Sequence, residues 1–347
     1  MLWSVHWPEC GTVEDFIKNF MGSLVFYLRK CSIYLIFDRY PPESIMSVTT
    51  SNRAGKNASR KHLLNLHTPL PSQKIVLSVE HNKIPLINLI SKYLVDCSLI
   101  SDNELIITSE DPIPVAIRNG KAAKRFDLYN THEETDLIIV NQLVHATAKM
   151  GSTDICVVWD DTDVFVLLIH FYCREKLDCN VTMKSPIVGR RIIDIKTAVI
   201  KHKDIADNLP GMHALTGCDS TSYLYGIGKT AALKVLTYGK CLSLLGVVDI
   251  GRDENILTQA TSFIATCYGA KCDGDLSKIR YDVWSSKMAK SKISCAPKLK
   301  SIPPTSDAFA EHVKRAHYQT IIWKSSLSSG SPLNVNPLDH GWIKKDG

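Results

Sequence analysis

Apolar residues recur at helical spacing over Val13–Leu28, over Glu133–Lys149, where Leu137, Val140, Val144 and Ala148 share one face, and over Lys229–Leu236. Between these stretches lie short β-branched runs without that period. Ile33–Phe37, Glu104–Thr108, Ile155–Trp159 and Val164–Ile169 read as buried strands. Helices alternating with buried strands predict an α/β fold with a mainly parallel central sheet flanked by helices. Beyond about Lys240 only helical patterns remain, strongest over Glu254–Tyr268 and over Ser306–Leu327, the latter opened by Pro303-Pro304-Thr305. The expected organisation is a domain over 1–240 holding a basic insertion at 44–79, a helical region over 241–327 and a polar tail over 328–347.

Acids interrupt the apolar pattern at a few places. The run Ile155–Trp159 is followed by Asp160-Asp161-Thr162-Asp163, and Ile33–Phe37 by Asp38. His132-Glu133-Glu134-Thr135-Asp136 opens a helical pattern, and Gly217-Cys218-Asp219 places one acid after a small-residue approach. A single acidic turn is ordinarily solvated, and acids in a first helical turn ordinarily serve the helix dipole. The recurrence changes the balance. In open α/β sheets the carboxyl ends of strands face one crevice, so Asp38, Asp161 and Asp163 are expected to converge there, joined by Glu134 and Asp136. Like charges so placed call for a cation, and an all-carboxylate donor set suits Mg²⁺ or Mn²⁺.

Gly226-Ile227-Gly228-Lys229-Thr230 opens a helix. It is not a nucleotide-binding P-loop, which needs a glycine where Tyr223 stands. Two readings stay open: a tight turn between packed helices, or a turn whose amides, with Lys229, hold a phosphate. The insertion contains Arg53, Lys56, Arg60, Lys61 and Lys74 and no acid, which suits either a solvated loop or a phosphate-contacting arm.

In their order, these stations resemble the flap endonuclease family within the PIN-like nucleases. The resemblance runs from Ile33 to Leu236 and is carried by Phe37-Asp38 with Pro41-Pro42, Glu134-Thr135-Asp136, Asp160-Asp161-Thr162-Asp163, Gly217-Cys218-Asp219 and Gly226-Ile227-Gly228. It implies a PIN-like fold and metal-dependent hydrolysis of nucleic-acid phosphodiesters. It further implies two Mg²⁺ or Mn²⁺ ions held by Asp38, Glu134, Asp136, Asp161, Asp163 and Asp219, and duplex backbone gripped at Gly226 to Gly228, with a K⁺ ion there. Arg53, Lys56, Arg60 and Lys61 fall at the position of that family's basic arch. Pro210-Gly211, His213-Ala214-Leu215-Thr216 and Pro303-Pro304-Thr305, with Tyr318-Gln319 and Ile322-Trp323, also resemble a group of mobile-element-associated animal proteins, a likeness that implies no activity. The family places a further aspartate at the end of a first strand, whereas Met1–Cys10 holds only Glu9 and no strand-like run. Two explanations present themselves: a shortened chain, or a branch working with fewer ligands.

Composition narrows the classes. The 347 residues are 45% hydrophobic, enough for a sizeable core. The formal charge of +6 arises from Lys271 onward, where thirteen basic residues face seven acidic, which favours a nucleic-acid partner. The eleven cysteines are scattered and odd in number, with Cys97, Cys156 and Cys218 inside apolar runs, as reduced core thiols are; Cys267 and Cys272 lack the second pair of a zinc site. The apolar stretch Met21–Phe37 is broken by Arg29 and Lys30. The chain therefore reads as non-secreted, nuclear or cytoplasmic, with no membrane partner. Two rival functions remain. One is a catalytically dead nucleic-acid-binding module of the same fold. The other, less favoured, is a haloacid-dehalogenase-type phosphatase, suggested by Asp161-x-Asp163 but opposed by Glu134 and Asp136 preceding it.

Overall fold

The computed structural model describes residues 2, 5–40, 61–97, 99–151, 153–248, 253–270, 274–290, 297–328 and 335–343. Arg53, Lys56, Arg60, Pro41 and Pro42 lie outside them, and so does Cys272. The chain forms two compact units, one of residues 1–164, 178–194 and 326–330, the other of 165–177, 195–325 and 331–347. The helical unit therefore takes over near Ile195, earlier in the chain than residue 240.

In the first unit, α1 (Val13–Leu28) starts at a reciprocal cap: the Asp15 amide donates to Thr12 Oγ1 and the Thr12 amide to Asp15 Oδ2. Its spacing of three and four buries Val13, Phe16, Ile17, Phe20, Leu24 and Leu28 in one cluster with Leu86, Ile90 and Leu94. Those three leucines and isoleucines belong to α3 (Glu80–Asp96), which follows the short α2 (Gln73–Leu77). Neither helix was expected; Pro85 inside α3 disguises the second.

The single mainly parallel sheet does not form. Instead there are two small mixed sheets among the described residues. In the first, β1 (Ile33–Ile36) pairs parallel with β2 (Leu105–Thr108), Ile33 facing Leu105 and Ile36 facing Thr108. β3 (Val115–Arg118) and β4 (Lys121–Lys124) then add antiparallel, closed by Asn119-Gly120, both at positive φ. An Asn-Gly pair supplies the two left-handed residues that a tight hairpin needs, a signal present in the sequence. In the second sheet, β5 (Asp154–Val158) pairs parallel with β6 (Asn180–Lys184), and β7 (Ile193–Asp194) pairs antiparallel with β6. Cys156 points away from the buried side of β5 and is exposed, contrary to its expected place in the core, whereas Cys218 is buried. α4 (Thr135–Met150) completes this unit and packs on β1; its buried Gln142 donates to Thr108 Oγ1 at 2.6 Å.

The expected strand at Val164–Ile169 is instead part of α5 (Thr162–Arg174). The apolar run continues through Phe171 and Tyr172, too long for a strand, and nearly every residue in it is buried, which erases the helical period. From Phe165 onward it belongs to the second unit, which among the described residues is helical throughout. That unit contains α6 (Ile195–His202), α7 (Leu209–Leu215), α8 (Lys229–Thr237), α9 (Asp253–Cys267), α10 (Leu276–Lys290) and α11 (Ser306–Lys324). α7 is buried along its whole length against α11: the His213 and Trp323 rings stand 5.7 Å apart and His312 Nε2 lies 2.8 Å from the Leu215 carbonyl. Among the described residues no helix is long and apolar enough to cross a membrane.

One buried cation ties the first sheet to α4. Arg39, 7% exposed, donates from Nε to the Ser109 carbonyl at 2.7 Å and from Nη2 to the Asp111 carbonyl at 3.2 Å. Its Nη1 donates to the Asn130 carbonyl and side chain at 2.9 and 2.7 Å and to the His132 carbonyl at 2.9 Å. Removing the guanidinium strands these carbonyls without donors. Arg39→Ala should cost about 3–5 kcal/mol in denaturant unfolding, and Arg39→Lys, which lacks the planar fork, should recover less than half of that.

Candidate active site

Asp38 leaves the end of β1 after Phe37, whose amide still donates to Thr108 O at 3.0 Å. The next residue, Arg39, fixes the turn from both sides, its amide donating to the Glu133 carbonyl at 2.9 Å. The Asp38 carboxylate is thereby delivered to the first turn of α4. Its Oδ1 accepts from the Thr135 amide at 3.2 Å and from the Thr135 hydroxyl, so that Asp38 caps a helix whose own N-cap residue, Glu134, makes no side-chain cap. Oδ2 accepts from Tyr40 Oη at 3.1 Å and from Lys83 Nζ at 3.0 Å. Lys83 also donates to Tyr40 Oη and lies 5.1 Å from the centre of that ring. Burial works to raise the Asp38 pKa, but the Lys83 charge and the bonds from Thr135 and Lys83 outweigh it and hold the carboxyl below its ordinary value.

Asp161 and Asp163 come from the other sheet. After β5, Asp161 Oδ1 accepts the Asp163 amide at 3.1 Å and so starts α5, with Asp163 in its first turn. Asp160 turns instead to Arg190 and forms an ion pair.

Asp136, in the first turn of α4, records how these acids are arranged. Burial first, then the charges of Glu134, Asp163, Asp161 and Asp38 in that order, raise its pKa well above the ordinary carboxylate value. Four of the other expected ligands, from the end of β1, the start of α4 and the junction of β5 with α5, therefore act on the one half-buried carboxyl of Asp136. The contrast with Asp127 is direct: the Arg125 guanidinium, bonded to it at 2.9 Å through both nitrogens, draws its pKa down to about 2. Among the described residues no three His, Cys, Asp or Glu side chains are already gathered closely enough to hold a metal ion.

Asp219 belongs to the second unit and is exposed in the turn after α7. The turn is held by Cys218 N donating to Thr221 Oγ1 at 3.1 Å and Thr221 Oγ1 donating to the Ala214 carbonyl at 2.7 Å. Gly217 is required there: φ is +104° and a Cβ would stand 2.5 Å from the Tyr223 ring. Gly226 and Gly228 are exposed, with open space where a Cβ would lie, and Gly228 is the N-cap residue of α8. Lys229 is otherwise engaged. Its ammonium donates to His213 O at 2.6 Å, Thr216 Oγ1 at 2.9 Å and Gly217 O, closing the carboxyl end of α7. Lys61 is exposed. Burial pushes the Cys267 thiol up to about 12, the reverse of what a thiolate metal ligand needs.

Lys83, Thr135, Tyr40 and Arg39 escaped the sequence reading. Thr135 and Arg39 each adjoin a singled-out acid and could have been flagged on that ground. Lys83 stands 45 residues from Asp38 in sequence with no local signal.

The two shifted carboxyls make opposite contributions with pH. Asp38, lowered, contributes stability above the ordinary carboxylate pKa that is lost as pH falls through its folded value; Asp136, raised, contributes stability in acid that is lost as pH rises through its folded value. Asp136→Asn should therefore raise the thermal midpoint at neutral pH in chelator, by about 2–4 °C for each kcal/mol recovered, with the gain vanishing below the ordinary carboxylate pKa. Thermal melts of both proteins at the two pH values check this. Compared with protein-family models, with curated proteins and with solved structures, the chain matches none.

Proposed function

We propose that this chain is a divalent-metal-dependent nuclease of the flap endonuclease type, hydrolysing phosphodiesters in branched or single-strand/duplex nucleic acid, DNA rather than RNA. The observation that carries the reading is Asp136: a half-buried acid surrounded by four others from three elements, the tension a hard divalent cation relieves. The donor chemistry, carboxylate oxygens from Asp38, Glu134, Asp136, Asp161 and Asp163, fits Mg²⁺ or Mn²⁺. When bound, such ions neutralise charge at the scissile phosphate and lower the pKa of an attacking water. Attack forms a new phosphorus–oxygen bond and breaks the one to the leaving nucleotide, whose oxygen takes up a proton.

The chain's own residues supply the frame. Thr135 and Tyr40 orient the Asp38 carboxylate, and Lys83 sets a positive charge at the rim of the acids, where it can also meet a phosphate oxygen. The order of motifs, the PIN-like resemblance and the turn at the exposed Gly226 and Gly228 support duplex binding, and a K⁺ ion held by carbonyl oxygens of that turn would supply positive charge toward a phosphate. The resemblance adds Asp219 to the ligands and places Arg53, Lys56, Arg60 and Lys61 against the substrate backbone. A nuclear or cytoplasmic location goes with this reading.

A second reading, a catalytically dead nucleic-acid-binding module, draws on Lys83: an ammonium already pairs with Asp38 where a metal would otherwise lie. The same assay separates the two. Mg²⁺- or Mn²⁺-dependent cleavage of a 5′-flap DNA should fall by about a hundredfold or more in Asp161→Asn, which keeps the cap of α5 while removing the charge, and in Asp219→Ala. Cleavage that persists in excess chelator, or survives both substitutions, defeats the metal reading. Salt-sensitive binding of the flap without any cleavage by the unsubstituted chain selects the second.

A further inference from the structure

α10 is apolar on two faces. Leu276, Ile279 and Val283 are buried in the second unit, while Tyr281, Trp284 and Met288, at positions i, i+3 and i+7, stay 65, 37 and 40% exposed. The Tyr281 and Trp284 rings lie 6.3 Å apart, tilted by 32°. A single exposed tyrosine means little. Here a cation-bearing run is fastened to the same helix. The run Leu299–Ser301 and Pro303 lies along α10, since the Arg280 guanidinium donates to the Pro303 carbonyl and the Lys287 ammonium to the Ser301 carbonyl. From that run Lys300 reaches the face of Tyr225, with Nζ 5.4 Å from the ring centre. Tyr225 is itself about half exposed, and its carbonyl is held by the Tyr268 hydroxyl at 3.0 Å.

We infer that Tyr225, Lys300, Tyr281 and Trp284 form a strip that binds single-stranded nucleic acid, bases stacking on the rings and phosphates meeting the cations. The inference rests on the nucleic-acid reading above and deepens it by assigning an unpaired strand to the second unit. An apolar peptide would suit the stripe of α10 alone, but not rings interleaved with lysine and arginine in the segment that holds the chain's basic surplus. A duplex would not suit it either, because paired bases keep their faces inside their own stack, whereas a single strand offers a π-face at every nucleotide.

The test uses the full chain in chelator, binding a fluorescein-labelled oligothymidine followed by anisotropy. Tyr281→Ala combined with Trp284→Ala should raise Kd by about ten- to a hundredfold, and Tyr281→Phe combined with Trp284→Phe should stay within about twofold because both ring faces remain. Lys300→Ala should reduce the slope of log Kd against log salt by about 0.7. Because Trp284 is only 37% exposed, the double alanine variant should melt somewhat lower, and circular dichroism at the assay temperature, matched between the proteins, separates lost binding from lost folding. A double alanine variant that folds and binds like the unsubstituted chain overturns the strip. So does tighter binding of blunt duplex, or binding of an amphipathic helical peptide in place of oligothymidine. Metal-dependent cleavage is not read in this assay. A chain that binds through the strip but never cleaves therefore leaves the strip standing, and one that cleaves without it leaves the carboxylate site standing.

Discussion

The buried guanidinium of Arg39 is the constraint on which the first unit's architecture turns. A charge taken out of water is tolerated only when its donors are satisfied, and here five acceptors from four residues do so. Those residues come from the turn after β2 and from the approach to α4, two segments that share no strand pairing. One side chain thus substitutes for a missing piece of sheet. Because Arg39 directly follows Asp38, the same bonds that neutralise the guanidinium also fix where the preceding carboxylate points.

The acids show two ways of living with their charge. At Arg125, Asp127 and Glu104 each carboxylate meets a guanidinium nitrogen at 3.0 Å or less, and the network is settled. Around Asp136 the neighbours repel, while Asp38 is paired with Lys83. Carboxyls shifted in this way cluster at functional sites, because the repulsion is of a kind that an arriving cation would relieve.

Much of this was legible in the sequence, and the failures have physical causes. α1, α4, α8, α9 and α11 carry an apolar stripe that only a helix can bury, so the period announced them, and β1, β2 and β5 were read from their short β-branched runs. α5 was misread because burial on all sides leaves no period. The hairpin of β3 and β4 was announced by Asn119-Gly120, yet its strands are too short and, in β4, too exposed to show alternation. The expectation of one mainly parallel sheet rested on the alternation of helices with strands; strand partners depend on long-range closure that no local pattern contains. In the site, the acids were legible as charges where apolar runs stop. Their partners were not, because a lysine 45 residues away or a threonine capping through space leaves no spacing to find.

His132, at the approach to α4, is buried, and its Nε2 lies 2.9 Å from both the Ser326 and Ser328 carbonyls; Asn141 donates to the first of these at 3.0 Å. The segment that completes this corner is made about 170 residues after β5, with nearly all of the helical unit in between. At synthesis rates of 5–20 residues per second that interval is about 10–30 s, during which the front of the chain has left the ribosome but the polar groups beside its acids still lack their partners. The first unit is therefore not a domain that folds and waits. It is closed from behind, and the corner that holds the carboxylates is completed only after the helical unit has been made.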